Sequence, residues 1–197
     1  MVSEVYHPSP VRSLMSRPID NSYVVPDTAL VAGEYPGMRF GTPSGIRDAK
    51  LQQFLDAGIT AFVDLTHPDD PLDLYVGRLR ELAAERGVEV VHDYLSIVDM
   101  DICDNAFMLQ LLNTIDARMA EGHRVYVHCW GGVGRTGMTV GCWLVRNGRS
   151  GDEALNEVKM LFATMSPAKV AYFGPDGSPQ TDAQRAVVRA WAELPTE

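Results

Sequence analysis

Residues Arg124-Val-Tyr-Val-His-Cys-Trp-Gly-Gly-Val-Gly-Arg-Thr-Gly137 read as a strand, a glycine-rich loop and the start of a helix in immediate succession. Val125, Tyr126 and Val127 are β-formers in a short run that ends at a glycine cluster. Cys129 follows, then five residues of which three are glycine, then Arg135 and Thr136. Met138 to Val145 is an apolar segment long enough for a buried helix. Such an order builds an anion cradle, because successive backbone N–H groups curl inward and the positive end of the helix points at the same spot. A cysteine at the mouth of that cradle is surrounded by donors that favour its thiolate form. Arg135 offers a planar fork that fits two phosphoryl oxygens at once. These are the parts of a phosphoryl-transfer site with a sulfur nucleophile.

Cys129 to Arg135, with Thr136 after it, resembles the Cys-x5-Arg-Ser/Thr signature of the cysteine-dependent protein tyrosine and dual-specificity phosphatases. The fuller run His128 to Arg135 looks most like the small dual-specificity branch, close to the cyclin-dependent-kinase-associated phosphatases. The match from Val127 to Gly137 is specific, whereas a bare Cys-x5-Arg would be weak. Strands alternating with helices argue a single α/β domain with the cradle at the carboxyl end of a central strand, and the resemblance implies a mostly parallel sheet flanked by helices. It implies phosphate binding by Trp130, Gly131, Gly132, Val133, Gly134 and Arg135. It also implies a His128 that shapes the loop and tunes the thiol, and a Thr136 hydroxyl that stabilises the departing thiolate.

Other readings of the same residues are poorer. Gly132-x-Gly134-x-x-Gly137 is formally a dinucleotide fingerprint, but that site needs a second strand ending in an acid. Here the chain goes to Arg149-Ser-Gly-Asp152 and another helical stretch. A nucleotide phosphate loop fails because no Gly-Lys-Ser/Thr is present. Cys129 alone would read as a small buried apolar residue; the glycines and Arg135 change that. A threonine opening a helix is a routine cap, and Thr136 can serve both roles.

The 197 residues are most simply one domain, with an irregular arm over residues 1–20 and the phosphatase domain over 21–197. Hydrophobic content of 46% with 22% charged residues is ordinary for a globular protein. A net charge of −9 argues against nucleic-acid or anionic-membrane partners. Between Gly122 and Gly151, however, there are four arginines and no acid, which suits a phosphorylated protein or small phosphorylated substrate. Cys103, Cys129 and Cys142 follow neither a disulfide framework nor a zinc pattern, so no metal or cofactor is expected. No secretory signal and no membrane span are legible. An activated thiol needs a reducing compartment, and cytoplasmic location is expected.

Along the chain, Tyr23–Val25 and Leu30–Ala32 are strand candidates split by a turn at Pro26-Asp27. Ile46–Ala57 is an amphipathic helix with Ile46, Leu51, Phe54 and Leu55 apolar, stopped by Gly58. Thr60–Thr66 reads as a buried strand, His67–Asp70 as a turn, Leu72–Arg86 as a helix and Val88–Val91 as a strand. Tyr94–Asn105 is an acidic connector, and Phe107–Ala120 a helix closed by Gly122. Asp152–Ala163 is helical, Ser166–Ser178 is a loop rich in glycine and proline, and Asp182–Leu194 is a final amphipathic helix packed through Ala183, Ala186, Val187, Ala190 and Trp191.

A thiolate mechanism on a phosphate monoester needs an acid for the leaving oxygen. The resemblance puts it in the connector, at Asp99, with Asp101 and Asp104 as close rivals. Ser96 stands where dual-specificity members often carry proline. Asp99-x-Asp101 also hints at a calcium loop, but Asp104 and Gln110 occupy the positions that need Gly and Glu. Gln180-Thr-Asp-Ala-Gln184 resembles the glutamine loop of tyrosine phosphatases, which implies that Gln180 and Gln184 position substrate and water; helix capping is the plainer alternative. The leading expectation is a phosphoprotein phosphatase acting on phosphotyrosine, with phosphoserine and phosphothreonine also in range. A phosphatase of a soluble inositol phosphate and a non-catalytic phosphate-binding module are the alternatives. The cradle interior carries no lysine, which weakens a phosphoinositide assignment.

Overall fold

The computed structural model describes residues 16–38 and 43–191. Residues 1–15 of the arm expected over 1–20, and the last turn expected to reach Leu194, lie outside these residues. Five strands form one sheet: β1 (Ser22–Val24), β2 (Leu30–Gly33), β3 (Ala61–Asp64), β4 (Val91–Tyr94) and β5 (Val125–His128). Their order is β1-β2-β5-β3-β4, with β5 in the middle. β5 is parallel to β2 and β3, β3 is parallel to β4, and only β1 runs antiparallel, against β2. The β1–β2 turn falls where Pro26-Asp27 predicts it, with Asp27 in the left-handed region at φ 59° that short polar side chains tolerate.

Seven helices cover the two faces of the sheet among the described residues: α1 (Ser44–Asp56), α2 (Val76–Glu85), α3 (Asn105–Ala120), α4 (Gly134–Arg146), α5 (Gly151–Phe162), α6 (Pro167–Phe173) and α7 (Asp182–Trp191). Because side chains alternate across a strand, β5 divides its residues between two cores. Val125 and Val127 join Met108, Ile115, Val140, Val158 and Val188 on one face, while Tyr126 joins Leu51, Phe54, Leu79 and Leu82 on the other. A sheet buried on both faces explains why β5 reads as a continuous apolar run without alternation. Full burial of Leu51 and Phe54 contributes about 1.5–3 kcal/mol each. No helix of the described residues is long and apolar enough to cross a membrane.

Helix α4, which begins at the cradle, is buried along nearly its whole length, from Gly134 to Val145. It can be enclosed so closely because Gly141 has no side chain: a Cβ there would stand 2.7 Å from Val188 Cγ2 of α7. Helix α5 starts on a capping box in which Ser150 and Glu153 satisfy each other's backbone donors.

Several boundaries differ from the sequence expectation. The helix expected from Leu72 begins at Val76, because the Asp73 carbonyl, which a helix would offer to Gly77 N–H, accepts instead from the Tyr35 hydroxyl at 2.8 Å. The strand expected at Val88–Val91 lies at Val91–Tyr94: Val88 N–H folds back onto the Ala83 carbonyl, and register with β3 starts at Ala61 opposite Val91. The stretch expected as loop contains α6, capped by Ser166, with proline at its start and Gly174 at φ 80° after its end. Ile46 is 54% exposed, not packed. On α7 the buried residues are Gln184 and Val188, while Ala183, Ala186 and Ala190 face outward. Alanine is indifferent to exposure, so the fit of Val188 against Gly141 decides the phase of that helix.

Candidate active site

The cradle leaves the end of the central strand and enters α4 with no intervening residue, so the loop from Cys129 to Val133 sits at the carboxyl edge of the sheet. That edge is where open α/β sheets bind ligands. Cys129 is 3% exposed and lies on the wall of a cleft of about 790 Å³. Gly132 adopts φ +71°, and a Cβ on it would stand 2.2 Å from the Gly33 carbonyl carbon, so only glycine fits there.

The direction of the loop amides follows from where its carbonyls are held. The Trp130 carbonyl accepts from Tyr35 N–H at 3.1 Å, the Gly131 carbonyl from Lys169 Nζ at 2.7 Å, and the Val133 carbonyl from Ser178 Oγ at 2.9 Å. In a planar trans peptide the N–H points opposite to the C=O. The N–H groups of Gly131, Gly132 and Gly134 therefore point away from these outer partners, as an anion cradle requires.

Arg135 is 1% exposed. Its Nη1 donates to the carbonyls of Ile97 at 2.9 Å and Leu65 at 3.3 Å and to Asp70 Oδ2 at 2.9 Å. Nη2 lies 2.8 Å from Asp99 Oδ1 but without hydrogen-bond alignment, and Nε has no protein partner. One edge of the guanidinium is thus anchored, and the Nε–Nη2 edge is left for a bidentate anion. Burial works against the charge, yet Cys129, Asp70 and Asp99 outweigh it and hold the Arg135 pKa above its ordinary value.

The three candidate acids separate clearly. Asp99 lines the cleft and its side chain is 46% exposed. Asp104 is the N-cap of α3, accepting from Phe107 N–H at 2.8 Å. Asp101 accepts from Ile102 N–H at 2.8 Å, and its carbonyl receives Gln184 Nε2 at 3.1 Å.

His128 is fully buried beneath the loop, with Nε2 2.7 Å from the Tyr75 hydroxyl and Nδ1 3.8 Å from Asp64 Oδ1. Burial pushes its pKa down to about 4 against the opposing pull of Asp64, so the ring is neutral near pH 7. Thr136 is fully buried and its Oγ1 has no protein partner. Gln180 lines the cleft. Gln184 instead sits behind Gly134, its Oε1 accepting from the N–H groups of Gln180 and Thr181 and its Nε2 tied to Asp101.

Sequence reasoning missed Asp70, read there only as part of a turn, and missed Tyr35, Lys169 and Ser178. Each reaches the cradle from a remote segment, and no local pattern marks it. Among the described residues, no group of three or more His, Cys, Asp or Glu side chains is placed to hold a metal ion.

A central parallel strand that ends in a cysteine-to-arginine anion loop defines the phosphatase class of α/β protein. Residues 37–149 match the family model described as polymorphic toxin system, DSP-PTPase phosphatase, and the chain belongs to that family. No curated protein is a detectable sequence relative of this chain. Among solved structures, Tk-PTP in its active form is 27% identical over 85% of this chain and 93% of its own, with a TM-score of 0.59. Kinase-associated phosphatase, with its catalytic cysteine replaced by serine, is 17% identical over 83% and 85%, with a TM-score of 0.62. TpbA of P. aeruginosa in complex with phosphotyrosine is 19% identical over 90% and 93%, with a TM-score of 0.53. The last two are alike in fold alone, so the kinase-associated pattern read in the sequence gains no closer support than that.

Proposed function

We propose that this chain is a cysteine-dependent phosphomonoesterase that removes phosphate from protein phosphotyrosine, with phosphoserine and phosphothreonine also in range. The observation that carries the reading is the Nε–Nη2 edge of Arg135, which has no hydrogen-bond partner in the protein, shares its loop with Cys129 and is contacted at 2.8 Å by Asp99. A phosphate dianion that takes this edge displaces Asp99 toward the leaving oxygen. Cys129 Sγ attacks phosphorus and the P–O bond breaks, with the Asp99 proton passing to the leaving oxygen. Water then attacks the phosphocysteine, Asp99 takes its proton, and the P–S bond breaks to release phosphate and the thiolate, which Thr136 Oγ1 stabilises. The inward amides and Arg135 bear the charge of the equatorial oxygens. Such a thiol requires a reducing compartment, which the cytoplasm provides.

Two features favour a protein side chain over a soluble inositol phosphate. Tyr35, Leu72, Tyr172 and Phe173 give the cleft an apolar wall for a phenyl ring. Lys50 and Lys169, the cleft's lysines among the described residues, are both paired with Glu34, at 3.1 and 2.7 Å. Phosphate release from a phosphotyrosine peptide, a phosphothreonine peptide and an inositol phosphate, measured side by side, tests the reading; the phosphotyrosine peptide should be fastest. Preference for the inositol phosphate would overturn the substrate class, and binding without phosphate release would leave a binding module.

Arg135→Lys is expected to lower kcat by about 10²–10³-fold, nearly as much as Arg135→Ala, since a lysine keeps the charge but presents no bidentate edge. Steady-state kinetics of the two variants check this, and a lysine variant with most of its kcat would show that Arg135 acts as a point charge.

A further inference from the structure

The Gly131–Gly132 peptide is the one link of the cradle flanked by glycines on both sides. Gly132 is already at φ +71°, and a Cβ on Gly131 would meet only Val133 Cγ2, at 3.7 Å. Neither residue gives the peptide plane a strong preference for one orientation over its reverse. Its orientation matters greatly, because turning it over replaces an inward N–H donor by an inward carbonyl, directed at an anion. What holds it is a side chain from outside the loop. Lys169 Nζ donates to the Gly131 carbonyl at 2.7 Å, and its side chain is only 12% exposed.

Lys169 is itself held in place. Its ammonium also donates to Glu34 Oε2 at 2.7 Å, and Glu34 receives Lys50 Nζ at 3.1 Å and Asn21 Nδ2 at 2.9 Å. Lys50 in turn donates to the carbonyls of Tyr35 and Gly37, so its three protons are all committed. Burial lowers the Lys50 pKa while Glu34 resists that, which fits an internal brace rather than a free anion receptor. The brace joins the loop after β2, helix α1 and helix α6, and its far end is a cradle carbonyl.

Resting on the activity proposed above, we infer that Lys169 is a positioning residue for that activity: it locks the Gly131–Gly132 peptide with its N–H toward the phosphate. It touches no reacting atom and acts through the Gly132 amide. Two kinds of effect would follow from losing it, and they separate cleanly. A lost donor orientation weakens binding of every oxyanion and slows the chemical step at any ionic strength. A lost through-space charge is only partly screened by salt at so buried a site, but Glu34→Gln separates the two, since it makes the site more positive while loosening Lys169.

The test uses Lys169→Met in the full chain, with inorganic vanadate as the oxyanion probe and p-nitrophenyl phosphate as the substrate. Losing one oxyanion donor is expected to cost about 10²-fold in kcat and a similar factor in vanadate affinity. The deficit should persist at about 1 M NaCl, where charges are screened over about 3 Å. Lys159→Met, which removes an equal charge from the outer face of α5, should behave as wild type. Glu34→Gln removes one anchor of the ammonium and should show the same loss in smaller degree, whether or not Lys169→Met folds, although it makes the site more positive. Vanadate affinity close to wild type in folded Lys169→Met, a loss that high salt erases, or tighter vanadate binding by Glu34→Gln would overturn the inference. Wild-type protein that binds vanadate but releases phosphate from no monoester would overturn the proposed activity instead, and the vanadate comparison would still decide the role of Lys169.

Discussion

Cys129→Ser is expected to lower phosphate release by at least about 10⁵-fold, on the scale seen when an enzyme loses its nucleophile, while the protein still binds phosphorylated substrate. A serine hydroxyl in the same cradle is far less ionised than a thiol, so attack on phosphorus fails. The loop amides and Arg135 are untouched, because the Trp130, Gly131 and Val133 carbonyls remain held by Tyr35, Lys169 and Ser178. Single-turnover phosphate release together with calorimetric titration of a phosphotyrosine peptide would show both halves of the result. Activity near wild type would sink the mechanism. Cys103→Ser and Cys142→Ser should leave turnover intact. Burial pushes the Cys103 thiol up to about 11 and the Cys142 thiol higher still, so neither is a competent nucleophile.

The second large effect concerns Asp99. Asp99→Asn is expected to slow phosphorylation of Cys129 by about 10²–10⁴-fold for an alkyl phosphate, the usual worth of general-acid assistance. For an activated aryl phosphate the loss should be mild, because that leaving group departs as a stable anion. The geometry adds a distinct expectation. Asp99 lies against the Arg135 edge proposed for the phosphate, 2.8 Å from Nη2. An uncharged asparagine gives up that edge more readily, so KM should fall while kcat falls. Asp104→Asn removes an N-cap carboxylate and Asp101→Asn a loop contact, and neither should show leaving-group dependence. Leaving-group dependence in Asp101→Asn and not in Asp99→Asn would shift the acid by two residues along this loop.

The order of the cradle's parts was legible in the sequence because those parts are contiguous: a strand of β-formers, a cysteine, a glycine-rich loop, an arginine and a helix start. The α/β class was legible for the same reason, since strands and helices alternate with local periods. Ser150 and Ser166 cap α5 and α6 through local hydrogen bonds, yet neither is recognised as a cap in the sequence, where the first helix is expected from Asp152 and the second as loop. The rest depended on residues whose partners are distant in sequence. Asp73 gives its carbonyl to the Tyr35 hydroxyl and so delays a helix. β4 takes its register from β3, three residues later than its own composition suggests. Val188 meets Gly141 and so sets the phase of α7. Asp70 was legible only as a turn residue, yet it anchors one edge of Arg135 at 2.9 Å. The cradle's amides point inward because three unrelated segments hold its carbonyls from outside. A chain can encode such hydrogen bonds without any local pattern, since their geometry exists only after the sheet has brought the segments together.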